Sequence, residues 1–359
     1  MSTITKIQWC HSTVNPVMGC DGCELYPSLA LVRKTMTDVV ARFTAAESAV
    51  SAEIETQTSS GQQHTKVRLR EIAQRISSAA TTNGRLQSEI ASQITEEIET
   101  LYVCYAADLH RGFNAQGNNP GYAHPFEKPR LFAGRVAKAA LMPPPTAKEK
   151  QEKPWLEGYR RLIFISDMGD SLSRNISFEF LLQEVIASVS SPLGSRHIWP
   201  WLSKRPHRMA EFSDWLAKRG IPWPDNLIAM TTVTGPQTVN RVSHLLGVKA
   251  RYRGLSMEPL WGSVDVPLLG VHWVIVGGQS GSRARPFHLG WARNIRDACQ
   301  QTGAAFFLKQ LGQQPFEQGL PVQLADPHGG DWSEWPSDLR VRELPPSWRE
   351  NAIAAASEN

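Results

Sequence analysis

No apolar run in this chain approaches the roughly 20 residues that a helix needs to cross a bilayer, and the opening MSTITKIQWCHS lacks the basic-then-apolar order of a secretory leader. Both absences predict a cytoplasmic protein without a membrane segment. Cysteine is scarce: Cys10, Cys20, Cys23, Cys104 and Cys299 are the five in 359 residues. So few, so unevenly spread, exclude a secreted disulfide framework, and in a reducing compartment a close pair reads as metal-binding or catalytic. There is no P-loop pattern and no glycine spacing of the dinucleotide fingerprint. Strong charge of one sign is missing as well. A net charge of +4 permits an anionic substrate or nucleic acid without requiring one.

What is present suffices for a large core. With 41% hydrophobic and 20% charged residues, the chain should form one large domain or two smaller ones. Residues 28–103 stand apart: all twelve tryptophans lie outside them, and Phe43 and Tyr102 are their only aromatics. Apolar residues there recur at helical intervals, in Leu69, Ile72 and Ile76 and again in Leu86, Ile90, Ile94 and Ile98. The spacing predicts two or three long amphipathic helices packed as a hairpin and broken at SSGQQ and TTNG. Such an insertion either packs on itself or offers a surface to a substrate or partner.

Downstream, short apolar runs alternate with helical segments. Strands are expected at 161–167, 197–204, 227–233, 252–259, 272–278 and 304–310. Runs apolar on both faces, separated by helices, mean parallel βα units and an α/β fold. Residues 112–154 read as an irregular connection, and beyond about residue 312 no period is visible up to a frayed tail, AIAAASEN.

Each expected strand ends in residues that a buried sheet would not choose: Asp167 and Asp170, Ser203-Lys204-Arg205, Thr231-Thr232, Ser256 with Glu258, Gly277-Gly278-Gln279-Ser280, and Lys309-Gln310. In parallel α/β barrels the loops after the strands converge on one mouth, so six polar endings in succession point to one pocket. Any single Ser, Thr or Asp among them equally suits a helix cap. Charged Lys204, Arg205, Glu258 and Lys309 do not. The two glycines of VIVGGQSG allow a close backbone approach to a ligand. KRPHRM at 204–209 either meets phosphates or opens a solvated helix.

Cys20 and Cys23 form a C-x2-C pair, which needs further ligands. Cys104 follows the helical insertion, and a hairpin that leaves and returns to one place would bring it back beside them. Cys10 is the fourth candidate. The spacing therefore leaves a three-thiolate cluster and a four-cysteine zinc site both open, while Cys299, within a helical segment, reads as a small buried apolar residue.

The segments TKIQWCHSTVNPVMGC, GCELYP, CYA, FISDMGDSLS, LSKRPHRM, LSMEPLWG, VIVGGQSG and FFLKQLG follow one another over about residues 4–26 and 101–312. In that order they resemble uncharacterised phage-associated proteins with a three-cysteine motif, which look like radical S-adenosylmethionine (SAM) enzymes. The resemblance implies a partial TIM-like (β/α)6 barrel of parallel strands from residues 1–27 and 104–312. Residues 28–103 would be its helical-hairpin insertion and 313–359 a C-terminal extension. It implies that Cys20, Cys23 and Cys104 hold a [4Fe-4S] cluster whose open iron binds SAM, with an electron donor as partner. Reductive cleavage of SAM would then start radical chemistry on a substrate in the mouth. Asp167, Asp170, Ser256, Glu258, Gly277, Gly278 and Gln279 would contact SAM or substrate. Lys204, Arg205 and Lys309 would meet an anionic group, and the phage association extends the expectation to a nucleic-acid or nucleotide substrate.

Two features depart from the family pattern. The insertion separates Cys23 from Cys104, where the compact motif keeps three cysteines in one short loop, and Gln279 stands where GGES is more usual. A different class of protein also fits: a non-catalytic zinc or iron-sulfur protein whose helical insertion binds a partner. Cys10 separates the two, because structural zinc wants four closed ligands and a SAM-binding cluster wants three.

Overall fold

The computed structural model describes residues 5–350 except 24, 26–28, 44–49, 51, 57–65, 102–103, 116–119, 123 and 282–283. The chain divides into two compact units, one of Met1–Val17 with Leu131–Asn359 and one of Met18–Arg130.

The first unit is a mixed α/β unit built on a seven-stranded parallel sheet curled into a half-barrel. Its strands are β1 (Ser12–Val14), β2 (Ile163–Ile165), β3 (Trp199–Ser203), β4 (Leu227–Thr232), β5 (Arg253–Met257), β6 (Trp273–Gly277) and β7 (Ala305–Gln310). They lie side by side in chain order, as right-handed βα crossovers produce. Six were expected. The seventh, β1, pairs Ser12 with Ile163 and Val14 with Ile165. Three residues, STV, are too short to show a period.

Side chains alternate across the strands and divide the core in two. On one face Ala229, Leu255, Val274, Val276, Phe306 and Leu308 pack against helices, among them Pro206–Ala217 through Met209, Phe212 and Leu216 and Leu289–Thr302 through Ala292 and Ile295. Cys299, on the latter helix, is fully buried as expected, and burial pushes its thiol up to about 12. On the inner face Phe164, Ile228, Met230, Trp273, Ile275 and Phe307 meet Trp9, Cys10, Leu344 and Trp348. Apolar packing on both sides is why these strands read as unbroken apolar runs.

The segment beyond residue 312 is part of this core and not an appendage to it. Arg342 lies over Trp155, 4.0 Å from the ring centre, with Trp332 and Trp335 at 5.2 and 5.1 Å, and donates to the carbonyls of Leu308 and Lys309. Burial lowers this guanidinium to about 10. The contacts fasten residues 330–342 to the end of β7. The residues of the AIAAASEN tail lie outside those described.

At the opposite end of the sheet, Arg161 makes a two-pronged ion pair with Glu149, both bonds 2.8 Å, and donates to Ser12 Oγ at 2.9 Å. His11 sits beside it, its Nδ1 accepting from Leu162 N at 3.0 Å. Lys153 Nζ reaches the carbonyls of Thr5, Ile7 and Cys10 at 2.6–2.7 Å. These bonds fix the segment before β1.

The second unit contains the expected amphipathic helices, here Leu29–Phe43, Lys66–Ala80 and Gly84–Leu101. Ile72 and Ile76 are fully buried, as are Ile90, Ile94 and Ile98, whereas Leu86 is only half-buried. The Leu69 side chain and SSGQQ lie outside the described residues. TTNG is a turn in which Asn83 Oδ1 accepts from Arg85 N at 3.1 Å, capping the third helix. The unit is larger than residues 28–103. It spans Met18–Arg130 and takes in Cys20, Cys23 and Cys104, which the sequence reading assigned to the barrel.

The buried network beside β1 generates a pH prediction. Burial, followed by the nearby Arg161 and Lys153 charges, lowers His11 to about 3, so the unfolded chain binds its proton first. Burial by itself would raise Glu149, but hydrogen bonds from Arg161 and Thr146 hold it down at about 2. Both groups contribute stability that is complete above about pH 6.5 and is lost as pH falls, from His11 first and then, below about pH 4.5, from Glu149. Urea unfolding between pH 7 and pH 4.5 should show this slope, and His11→Asn should flatten it. Glu149→Gln, which leaves Arg161 buried and unpaired, should cost about 3–5 kcal/mol at pH 7.

Candidate functional site at the strand ends

The polar endings of the strands do lie together at the C-terminal edge of the sheet, but the structure divides them into two kinds. Some bind one another and hold loops. Others face the inner side of the half-barrel.

Asp170 and Arg205 are of the first kind. Both are buried, and the Asp170 carboxylate accepts from Arg205 Nη1 at 2.8 Å, Ser203 Oγ at 2.8 and 3.0 Å, Lys204 N at 3.0 Å and Leu172 N at 3.0 Å. Four donors satisfy this carboxylate and neutralise it, so the pair clasps the loop after β2 to the end of β3. A ligand would have to break the clasp to use either charge. Lys204 contributes its backbone to this clasp, and its side chain is half-buried beside it.

The second kind begins with Thr232 and Ser256. Alternation along β4 and β5 puts them on the face of Met230 and Gly254, and they are register neighbours. Thr232 is 1% exposed, and its Oγ1 has no hydrogen-bond partner. Ser256 is buried next to it. A buried hydroxyl without a partner costs stability, which marks this ledge as unfinished.

Glu258 and Lys309 form an ion pair above the ledge, their side chains 16% and 18% exposed. They belong to the ends of β5 and β7, so the pair must cross β6. It crosses at Gly277, where a Cβ would meet Glu258 Cγ at 3.3 Å and Gln310 Cγ at 3.5 Å. Gly278 has a different reason to be glycine. A Cβ there would sit 2.1 Å from the Leu311 carbonyl oxygen and 3.0 Å from Phe287 Cβ. Both glycines admit a close approach of the protein's own chain.

Asp167 hydrogen-bonds Asn15 Nδ2 at 2.5 Å, and Asn15 Oδ1 accepts from Met168 N at 2.9 Å. Burial raises its carboxyl above the ordinary range against the opposing hydrogen bonds from Asn15 and Thr13. The preceding Ser166 adopts φ +76°, a left-handed conformation that a serine seldom takes, and it is fixed by a 2.9 Å bond to Ser171 Oγ. Asn15, in the NP step after β1, therefore orients an acid that the sequence had pointed out.

Gln279 Oε1 accepts from Trp261 Nε1 at 2.9 Å, and the Arg285 guanidinium lies 4.2 Å from the centre of the Trp261 ring. Sequence reading missed Asn15, Trp261 and Arg285 as contributors, and it named Thr232 among the polar endings without assigning it a contact. For Thr232 the polar strand ending was the available signal.

In the other unit, Cys20 is buried and Cys23 and Cys104 are half-buried, and none is in a disulfide. Cys20 N donates to Phe126 O at 2.8 Å between Gly19 (φ +92°) and Gly22 (φ +107°), and Cys104 begins the helix Tyr105–Ala115 by accepting from Asp108 N at 3.2 Å. Among the described residues, no three His, Cys, Asp or Glu side chains form a group able to hold a metal ion. The three thiols thus suit a cluster in kind and number without being gathered into a ligand set. Cys10 belongs to the first unit, fully buried in the apolar core of the inner face, where burial pushes its thiol up to about 12.

Residues 95–336 match a family described as protein of unknown function (DUF5131), and the chain belongs to that family. The match covers β2 to β7 and leaves out β1, Cys20 and Cys23. No curated protein and no solved structure matches the chain. No helix among the described residues is long and apolar enough to cross a membrane.

The two glycines give a paired prediction. Gly278→Ala forces backbone apart and should destabilise by about 3 kcal/mol, the upper end for overpacking. Gly277→Ala meets two side-chain carbons and the Gln310 carbonyl oxygen, none closer than 3.3 Å, and should cost less than about 1 kcal/mol. Urea denaturation of both variants checks the order.

Proposed function

We propose that this chain is a radical-SAM-like enzyme with a partial TIM-type barrel, its reaction chamber formed at the C-terminal end of the seven-stranded sheet. The observation that carries the reading is the inner-face ledge of Thr232 and Ser256 beneath the Glu258–Lys309 pair, built from the ends of β4, β5 and β7. Parallel barrels place their chemistry at this end. Cys20, Cys23 and Cys104 would hold a [4Fe-4S] cluster, which when bound supplies the electron that starts radical chemistry on SAM. The residues of this chain do the rest.

Glu258 and Lys309 offer a ligand one acceptor and one donor of opposite charge while leaving the chamber neutral. A ligand with a single charge that displaced one of them would strand the other, half-buried, so the pair selects polar or doubly charged groups. Thr232 and Ser256 add hydroxyls that turn to donate or accept as the ligand requires. Asp167, its carboxyl raised by burial and aimed by Asn15, is placed to hold a proton. Trp9, Trp273, Phe307 and Trp348 close the chamber floor to water.

Metal analysis tests the reading. Protein purified anaerobically should carry iron and sulfide. Cys20→Ala, Cys23→Ala and Cys104→Ala should each lose the iron, and Cys10→Ala should keep it. Calorimetry should then show SAM binding to the cluster-replete protein, weakened at least tenfold by Glu258→Ala with iron content unchanged. Stoichiometric zinc in place of iron, or a replete protein that ignores SAM, would instead support a non-catalytic metalloprotein.

A further inference from the structure

Trp261 is held more firmly than a surface indole needs to be. Its backbone N–H donates to Thr234 O at 2.7 Å, in the loop after β4, and its ring N–H donates to Gln279 at 2.9 Å, in the turn after β6. The indole is thereby pinned between three successive loops on the rim where the strands end. Upon it lies Arg285, exposed, its guanidinium 4.2 Å from the ring centre.

Among the described residues, other arginines of this rim are occupied. Arg205 is bound by Asp170, Arg208 donates to Ile176 O, and Arg241 donates to Thr232 O. Among the described residues Arg285 has no hydrogen bond and no carboxylate partner, and only the indole engages it. A cation–π contact of this kind contributes about 0.5–1 kcal/mol at an exposed site, enough to set the plane of the guanidinium. It leaves all five N–H donors unused, since the contact involves only one face. The edge of the plane is a fork matched to an oxyanion, and its outer face is a flat cation on which an aromatic ring can stack.

A ligand that uses both features carries a planar ring and a phosphate. We infer that Trp261 and Arg285 form a nucleotide-binding platform at the mouth, which takes the phosphate on the Arg285 fork and a base on its outer face. SAM carries adenine but no phosphate and would leave the fork idle, so the platform is assigned to the substrate. The assignment rests on the mouth being the reaction site. Its shared chemistry, phosphate plus base, is found in a free nucleotide and in a single strand, where successive bases also stack on such surfaces.

The test is calorimetry on the full chain with adenosine, adenosine 5'-monophosphate and a ten-residue single-stranded thymidine oligonucleotide. The monophosphate should bind at least tenfold more tightly than adenosine. Arg285→Gln should remove that advantage, Arg285→Lys should restore part of it, and Trp261→Leu should weaken binding of both compounds. If a strand is the natural ligand, the oligonucleotide should exceed the monophosphate and lose affinity with salt over several phosphates. If a free nucleotide is, the monophosphate should bind at least as well. No binding of either phosphate probe to the wild type, or equal binding by Arg285→Gln, would overturn the inference. Iron is measured on the same preparation, so nucleotide binding without iron would count against the radical-SAM reading and leave the platform standing.

Discussion

Both faces of the sheet are closed, by helices on one side and by Trp9, Leu344 and Trp348 on the other, and a strand covered on both faces has little tolerance for a polar side chain without a partner. Polar groups are therefore confined to the positions where the strands run out. That confinement gathers Asp167, Asp170, Thr232, Ser256, Glu258 and Lys309 along one edge although they are far apart in the chain. Once gathered, they must be neutralised or hydrogen-bonded, and which of them partner one another decides which are left for a ligand.

Partner choice follows from reach. Asp170 meets the donors of the adjacent β3 end and is completed by them, becoming a clasp. Glu258 has no such neighbour on β6, whose terminal residue is glycine, and extends across it to Lys309. The same missing Cβ that lets the ion pair form also leaves the pair above the inner face instead of inside the core. Arg342, by holding the carbonyls of Leu308 and Lys309 from within an aromatic cage, fixes the strand end from which Lys309 projects.

Much of this was legible beforehand. Strands β2 to β7 announced themselves as apolar runs with polar ends, and the buried isoleucines of the helical unit fall on the stripes that their spacing drew. The short β1 was not legible, because its pairing depends on Ile163–Ile165 and not on any pattern of its own. Nor were the roles of Gly278 and Gln279: what a missing Cβ faces, or where an amide oxygen points, depends on the return of Leu311 and Trp261 from other parts of the chain. The sequence likewise treated the chain beyond residue 312 as an extension, since an aromatic cage around one arginine has no periodicity. The Asp170–Arg205 ion pair was not legible either, because two charges at strand ends look alike whether or not they meet each other.

The inner face is covered from both ends of the chain, by Trp9 and Cys10 on one side and by Leu344 and Trp348 on the other. Between their synthesis come all the strands from β2 to β7. A ribosome making this protein therefore releases a sheet whose helical side can close progressively, while the inner face has only the Trp9 and Cys10 part of its cover until residues 344–348 have emerged. Closing that face also brings together residues of very high sequence separation, and contacts of that kind are slow to form in general. During this interval the nascent chain presents a broad apolar concavity to its surroundings, the kind of surface that chaperones recognise and that drives neighbouring chains to associate.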